Sequence, residues 1–153
     1  MVNLSILQKN IALFTPKSAQ DLAATAEIFR EYAIGLGVDL CFQDFDTELA
    51  DLPGEYGAPR GALLLAKVDG AMAGCCALRP LDSSDYANAA EMKRLYVRSD
   101  YRGLGLGRQL AEAILDTARI AGYDSVLLDT LDEMEVARAM YEDLGFKDRK
   151  SVV

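Results

Sequence analysis

Apolar residues recur along the chain at two periods, one suited to strands and one to helices. Residues 10–14, Asn-Ile-Ala-Leu-Phe, predict a first strand. Thr15 then Pro16 predicts a helix start, with threonine as cap and proline at the first helical position. Leu22, Ala26, Phe29, Ala33 and Leu36 follow at spacings of four and three, which makes one apolar helix face. Gly35 and Gly37 end it. Phe42, Phe45, Leu49 and Leu52 predict a short second helix closed by Pro53-Gly54.

Ala62 to Val68 is an apolar run, and Ala71 to Leu78 is another. Asp69-Gly70 between them is a favoured two-residue hairpin turn. Asp82 to Asn88 is polar and reads as a loop before a strand over Ala90 to Val97. Further on, Leu110, Ala111, Ile114, Leu115, Ala118 and Ala121 share a helix face that Gly122 stops. Ser125 to Thr130 is a short continuous run of the buried-strand kind. Asp132 with Glu135 makes a capping box, and Met134, Ala137, Met140, Tyr141 and Leu144 line the helix that follows. Gly145 caps that helix, and Phe146 begins an extended piece.

One stretch changes the picture from fold to chemistry. Glu91 to Gly107 runs from strand into a turn with glycine at 103, 105 and 107, and a helix follows directly. The first N–H groups of a helix have no partner inside it, and they sit at its positive end. No Ser, Thr, Asp or Asn stands at 103–108 to cap them. Strand, glycine turn and open helix start make an anion site suited to phosphate. A P-loop would need Lys-Ser or Lys-Thr after the last glycine, where Arg108 stands. A dinucleotide G-x-G-x-x-G fails too, because Arg108 or Leu110 holds its last place. What fits is Arg-x-x-Gly-x-Gly at Arg102, Gly105 and Gly107.

With 153 residues, one domain over 1–153 is expected. The net charge of −8 argues against nucleic acid as a partner. Yet Met92 to Arg108 carries Lys93, Arg94, Arg98, Arg102 and Arg108 against Asp100 alone, a positive patch suited to an anionic cofactor. From Glu31 to Pro59 there are seven acids and no base, which form either a solvated face or a lure for a cationic amine. The absence of histidine removes His triads and His metal sites. Cys41, Cys75 and Cys76 are odd in number and read as reduced core residues, which fits a cytoplasmic protein. Nothing in the sequence predicts a membrane span.

Two segments are similar to signatures of the GCN5-related N-acetyltransferase (GNAT) superfamily. One is Glu-Met-Lys-Arg-Leu-Tyr-Val (91–97) with Tyr-Arg-Gly-Leu-Gly-Leu-Gly (101–107); the other is Ala-Arg-Ala-Met-Tyr-Glu-Asp-Leu-Gly-Phe (137–146). The resemblance, which covers nearly the whole chain, implies a mixed α/β fold with a central, mostly antiparallel sheet flanked by helices. It implies acetyl-CoA as co-substrate, no metal, and transfer to a small-molecule or peptide amine by direct attack in a ternary complex. The pyrophosphate role falls on Arg102, Gly103, Leu104, Gly105, Leu106, Gly107 and Arg108. The pantetheine arm would lie along Leu95, Tyr96 and Val97, with the Leu95 N–H directed at the thioester carbonyl. Tyr141 matches the tyrosine that protonates the leaving thiolate. Glu91 stands where some members place a base; the bland alternative is an ion pair.

The family's domains usually end in a second C-terminal strand, for which seven residues beyond Phe146 leave no room. That predicts an exposed sheet edge, a strand supplied by a partner such as the second copy of a homodimer, or a shortened chain. The alternative to an enzyme is a non-catalytic acyl-CoA-binding or regulatory module.

Overall fold

The computed structural model describes residues 10–36, 45–82, 85–128 and 140–146. Among these residues five strands form one sheet in the order β1-β2-β3-β4-β5. They are β1 (Ile11–Phe14), β2 (Ala62–Val68), β3 (Ala71–Leu81), β4 (Ala89–Val97) and β5 (Ser125–Leu128). Neighbours run antiparallel except β4 and β5, which are parallel. The helices are α1 (Ala19–Leu36), α2 (Phe45–Ala50) and α3 (Leu106–Ala121), and residues 140–143 are helical as well. The architecture is the mostly antiparallel α/β arrangement expected. The residues after Phe146, on which the expectation of a missing last strand falls, the capping box at Asp132 and Cys41 lie outside the described residues.

The β2–β3 hairpin turns as its sequence demands: Asp69 and Gly70 both take positive φ, 51° and 86°, the backbone twist that matches flanking strands. β3 runs three residues past Leu78, pairing Arg79, Pro80 and Leu81 with β4. Two corrections concern α1. Its cap is Ser18, whose Oγ accepts from the Asp21 N–H at 3.0 Å, so Thr15 and Pro16 precede the helix. Its buried face is centred on Thr25, Ile28 and Phe29, all 0% exposed, while Leu22, Ala26 and Ala33 are half-buried. Thr25 tolerates that position because its hydroxyl donates to the Asp21 carbonyl at 2.8 Å.

Each face of the sheet has its own core. Helix α3 buries Leu106, Leu110, Ala111, Ile114, Leu115 and Ala118 against one face; Ala121, expected on that stripe, is exposed. On the other face Ile28, Phe29, Phe45 and Leu49 of α1 and α2 pack over Leu63, Leu65, Cys75 and Ala77. Strand β4 therefore lies between two differently built surfaces.

Candidate active site

Pairing between β4 and β5 runs from Ala89↔Ser125 to Met92↔Leu128. Beyond it, β4 continues to Val97 paired with β3, and among the described residues it has no partner on the β5 side. The glycine turn follows. Gly105 is the residue before α3 and takes φ 78°, ψ 14°, a left-handed conformation with no side chain capping the helix. A Cβ built on Gly103 or Gly105 would meet no atom within 4 Å. The helix start is thus uncapped and open, as a phosphate cradle requires. Leu106 contributes only backbone there, since its side chain is buried in the core.

The two arginines of the turn are engaged by the protein itself. Arg102 Nε donates to the Val97 carbonyl at 2.9 Å, tying the end of β4 to the turn. That bond uses one of the two lone pairs of the carbonyl. Arg108 pairs with Asp143 at 2.9 Å, which docks the 140–143 helix on the first turn of α3. Met140 Sδ lies 4.0 Å from where a Gly107 Cβ would sit. Tyr141 follows it, half-buried, with its ring edge-to-face on Phe146 at 5.9 Å. Tyr141, Leu95, Val97 and Leu104 all pack on the α3-side core. The structure thus gathers the turn, the α3-facing residues of β4 and Tyr141 on one side of the sheet.

A bulge divides β4. Ala77 pairs with Lys93 and Cys75 with Tyr96, so Cys76 alone faces Arg94 and Leu95. Arg94 takes φ 61° to make it, and the buried Cys75 thiol donates to the Arg94 carbonyl at 3.2 Å. Ala90 and Met92 point to the α3 side before the bulge, Leu95 and Val97 after it. Lys93 and Arg94, although consecutive, both line a cleft on the opposite face. The sequence carried this signal: apolar positions 90, 92, 95 and 97 change spacing from two to three and back. Burial raises the pKa of both Cys75 and Cys76, so as thiols they fill the core as expected.

The cleft holds 370 Å³ between α2, the turn at 51–56, β3 and β4. Glu91 belongs to this face, apart from Tyr141. It is the cross-strand partner of Arg79, whose guanidinium bonds its Oε1 at 2.9–3.0 Å and reaches Glu55 at 3.1 Å. Arg94 is 5% exposed. Burial opposes its charge, but the two hydrogen bonds it donates to Glu48, at 2.8 and 3.0 Å, together with the neighbouring charges, outweigh that and raise its pKa. Burial raises the Tyr56 pKa, and neighbouring Glu48 adds to the effect. Arg98 is held by Glu31 at 3.0 Å. The acidic run therefore spends Glu31, Glu48 and Glu55 on arginines of β3 and β4 and on Arg98. The positive patch loses Arg94, Arg98 and Arg108 to partners. Arg79, Lys93 and Arg94 as cleft residues were not anticipated from the sequence. Among the described residues no group of three or more His, Cys, Asp or Glu could hold a metal, and no helix is long and apolar enough to cross a membrane.

The model of the acetyltransferase (GNAT) family matches residues 22–146. An uncharacterized N-acetyltransferase of Schizosaccharomyces pombe is 40% identical over 139 residues, spanning 90% of this chain and 83% of that protein. Among solved structures, a GNAT-family acetyltransferase of Staphylococcus aureus superposes with a TM-score of 0.74 at 21% identity, over 92% of this chain and 87% of the other. The Salmonella typhimurium protein YncA, solved with its cofactor acetyl-CoA, superposes with a TM-score of 0.70 at 22% identity, over 90% and 79%.

Proposed function

The chain belongs to the acetyltransferase (GNAT) family, and from that premise we propose that it acetylates a primary amine by direct attack, with donor and acceptor bound together in one domain. That it is an acetyl-CoA-dependent N-acetyltransferase follows from the family and its relatives; the acceptor and the residue roles are our reading. The observation that carries it is the uncapped start of α3 behind Gly105, beside a stretch of β4 unpaired toward β5 among the described residues. These residues fit the donor: backbone N–H groups at 103–108 suit its pyrophosphate, and the strand edge at Leu95, Tyr96 and Val97 suits its pantetheine arm. When bound, acetyl-CoA supplies an activated thioester.

The remaining steps belong to the chain. The Leu95 N–H, set by the bulge, would donate where negative charge develops. The Tyr141 O–H would donate to the departing sulfur, a favourable direction because a phenol titrates near pKa 10 and a thiol near about 8.5. Arg102 fixes Val97 and the turn, and Arg108 joins α3 to the Tyr141 helix through Asp143. Glu91 would take the amine proton directly or through water. Arg79 occupies its Oε1, so Oε2 is the oxygen for that task.

Calorimetric titration with acetyl-CoA tests the donor site. The intact chain is expected to bind at micromolar level, and an Arg102→Ala, Gly105→Glu variant to lose binding. A free-thiol assay tests the chemistry: Tyr141→Phe is expected to lower turnover about 100-fold with acetyl-CoA affinity nearly unchanged. Affinity falling in parallel with turnover would make Tyr141 a structural residue.

A further inference from the structure

The cleft beside the bulge has an unusual charge arrangement. Of its carboxylates, Glu48 and Glu55 are in ion pairs, as is neighbouring Glu91, while Asp51 on the same lining is exposed. Arg79 and Arg94 are the partners of the glutamates. Lys93 lies on the same wall, because the bulge turns it and Arg94 to one side. It forms no ion pair or hydrogen bond with a described residue. Partial burial lowers its pKa, the neighbouring charges of Arg94 and Arg79 lower it further, and Glu91 and Glu48 only partly oppose them. A half-buried cation that shares a cleft with two guanidiniums costs free energy until an anion meets it.

We infer that the acceptor is a small amine bearing a carboxylate, which Lys93 binds in this cleft. The inference rests on the acetyltransferase reading and narrows it. A cationic acceptor, the sharper expectation from the acidic run, fits less well, because arginines occupy Glu48 and Glu55 and leave the exposed Asp51 as the lining's unengaged carboxylate among the described residues. The cleft's 370 Å³ is near the lower end of the range of about 300–1,000 Å³ for small-molecule sites. Lys93 is two residues from Leu95, so an anion on Lys93 would hold the amine of the same small molecule near the β4 edge. Lys93 then acts as a specificity residue, by binding rather than by proton transfer.

The test compares glycine, alanine, aspartate and methionine, each against its α-carboxamide, in the free-thiol assay with acetyl-CoA. The acids are expected to be preferred by about 10- to 100-fold in kcat/KM, the range of a charge-assisted hydrogen bond. Lys93→Gln should erase the preference through KM for the acids, with a much smaller effect on the amides, and Lys93→Arg should restore part of it. Equal use of acid and amide by the intact chain, or equal loss on both in Lys93→Gln, would overturn the inference. Calorimetry with the N-acetylated acids in the presence of CoA gives a readout independent of turnover. Binding that Lys93→Gln loses supports the inference, and no binding to the intact chain overturns it. Acetyl-CoA is titrated alongside. If acetyl-CoA binds and the acids do not, only this inference falls; if acetyl-CoA fails to bind, the acetyltransferase reading falls with it.

Discussion

Arg94 carries a charge at 5% exposure because three groups share it. Glu48 meets it with two hydrogen bonds, and the rings of Tyr32 and Phe45 lie 5.7 and 5.3 Å from its guanidinium carbon. Removing the carboxylate charge would leave a buried cation unmatched. Glu48→Gln is expected to cost about 3 kcal/mol by denaturant midpoint, with much of the loss recovered in a Glu48→Gln, Arg94→Met double variant. Lys93 is the opposite case, a cation with no ion pair to a described residue. Its folded pKa is lowered, so between that value and the ordinary lysine range the unfolded chain holds more protons and stability rises with pH. Lys93→Met should therefore melt higher than the native chain at pH 7, with the gain shrinking as pH climbs through that window. A Lys93→Met chain that melts lower at pH 7 would mean Lys93 contributes to the fold through contacts its charge does not explain.

At the scale of elements, the turn between β4 and α3 assigns different duties to glycines two residues apart. Gly105 holds φ 78°, which an L-residue adopts at a cost of about 1–2 kcal/mol. Gly107 lies inside α3, outside the positive-φ glycines, and a Cβ there would make only ordinary contact, 3.8 Å from Val97 Cγ2 and 4.0 Å from Met140 Sδ. Gly105→Ala should destabilise by about 1–2 kcal/mol, and Gly107→Ala should stabilise by about 0.5–1 kcal/mol. Since that Cβ would point at Val97 and Met140, acetyl-CoA binding should survive in Gly107→Ala. Thermal melts with and without acetyl-CoA read both effects, and equal signs for the two variants would refute the division of duties. This turn was legible because glycines, arginine and the absence of caps are local features. So was the β2–β3 hairpin, which needs only Asp69-Gly70. The helix cap differs because Thr15-Pro16 and Ser18 both satisfy the local rule, and it is Ser18 whose hydroxyl meets the first turn of α1. The cleft was hidden for another reason. Glu48 and Arg94 are 46 residues apart and Glu55 and Arg79 are 24 apart, so their pairing depends on the sheet order. Only the bulge that aims Lys93 and Arg94 left a trace, in the altered spacing of Ala90, Met92, Leu95 and Val97.

At the scale of the molecule, β4 separates two surfaces. Its α3 side carries the glycine turn, Leu95 and the Tyr141 helix; its α2 side carries the Glu91 pair and the cleft. The bulge is where the strand passes from one to the other, and where the Cys75 thiol pins it. A donor along the β4 edge and an acceptor rising from the cleft would meet there. That arrangement makes a prediction about where ligand binding is felt. Acetyl-CoA at about 100 times its dissociation constant should add about 2.7 kcal/mol, raising the melting temperature by about 5–10 °C for a chain of this size. Hydrogen exchange then distinguishes local contact from general tightening. Amides at 93–108 and 140–146 should slow by more than that global gain allows, because they would be covered or newly bonded. Amides of α1, on the far side of the sheet, should slow only as much as global unfolding is suppressed. Excess protection in α1, with none at 93–108, would place the donor on the α1/α2 face and reverse the assignment of the two sides.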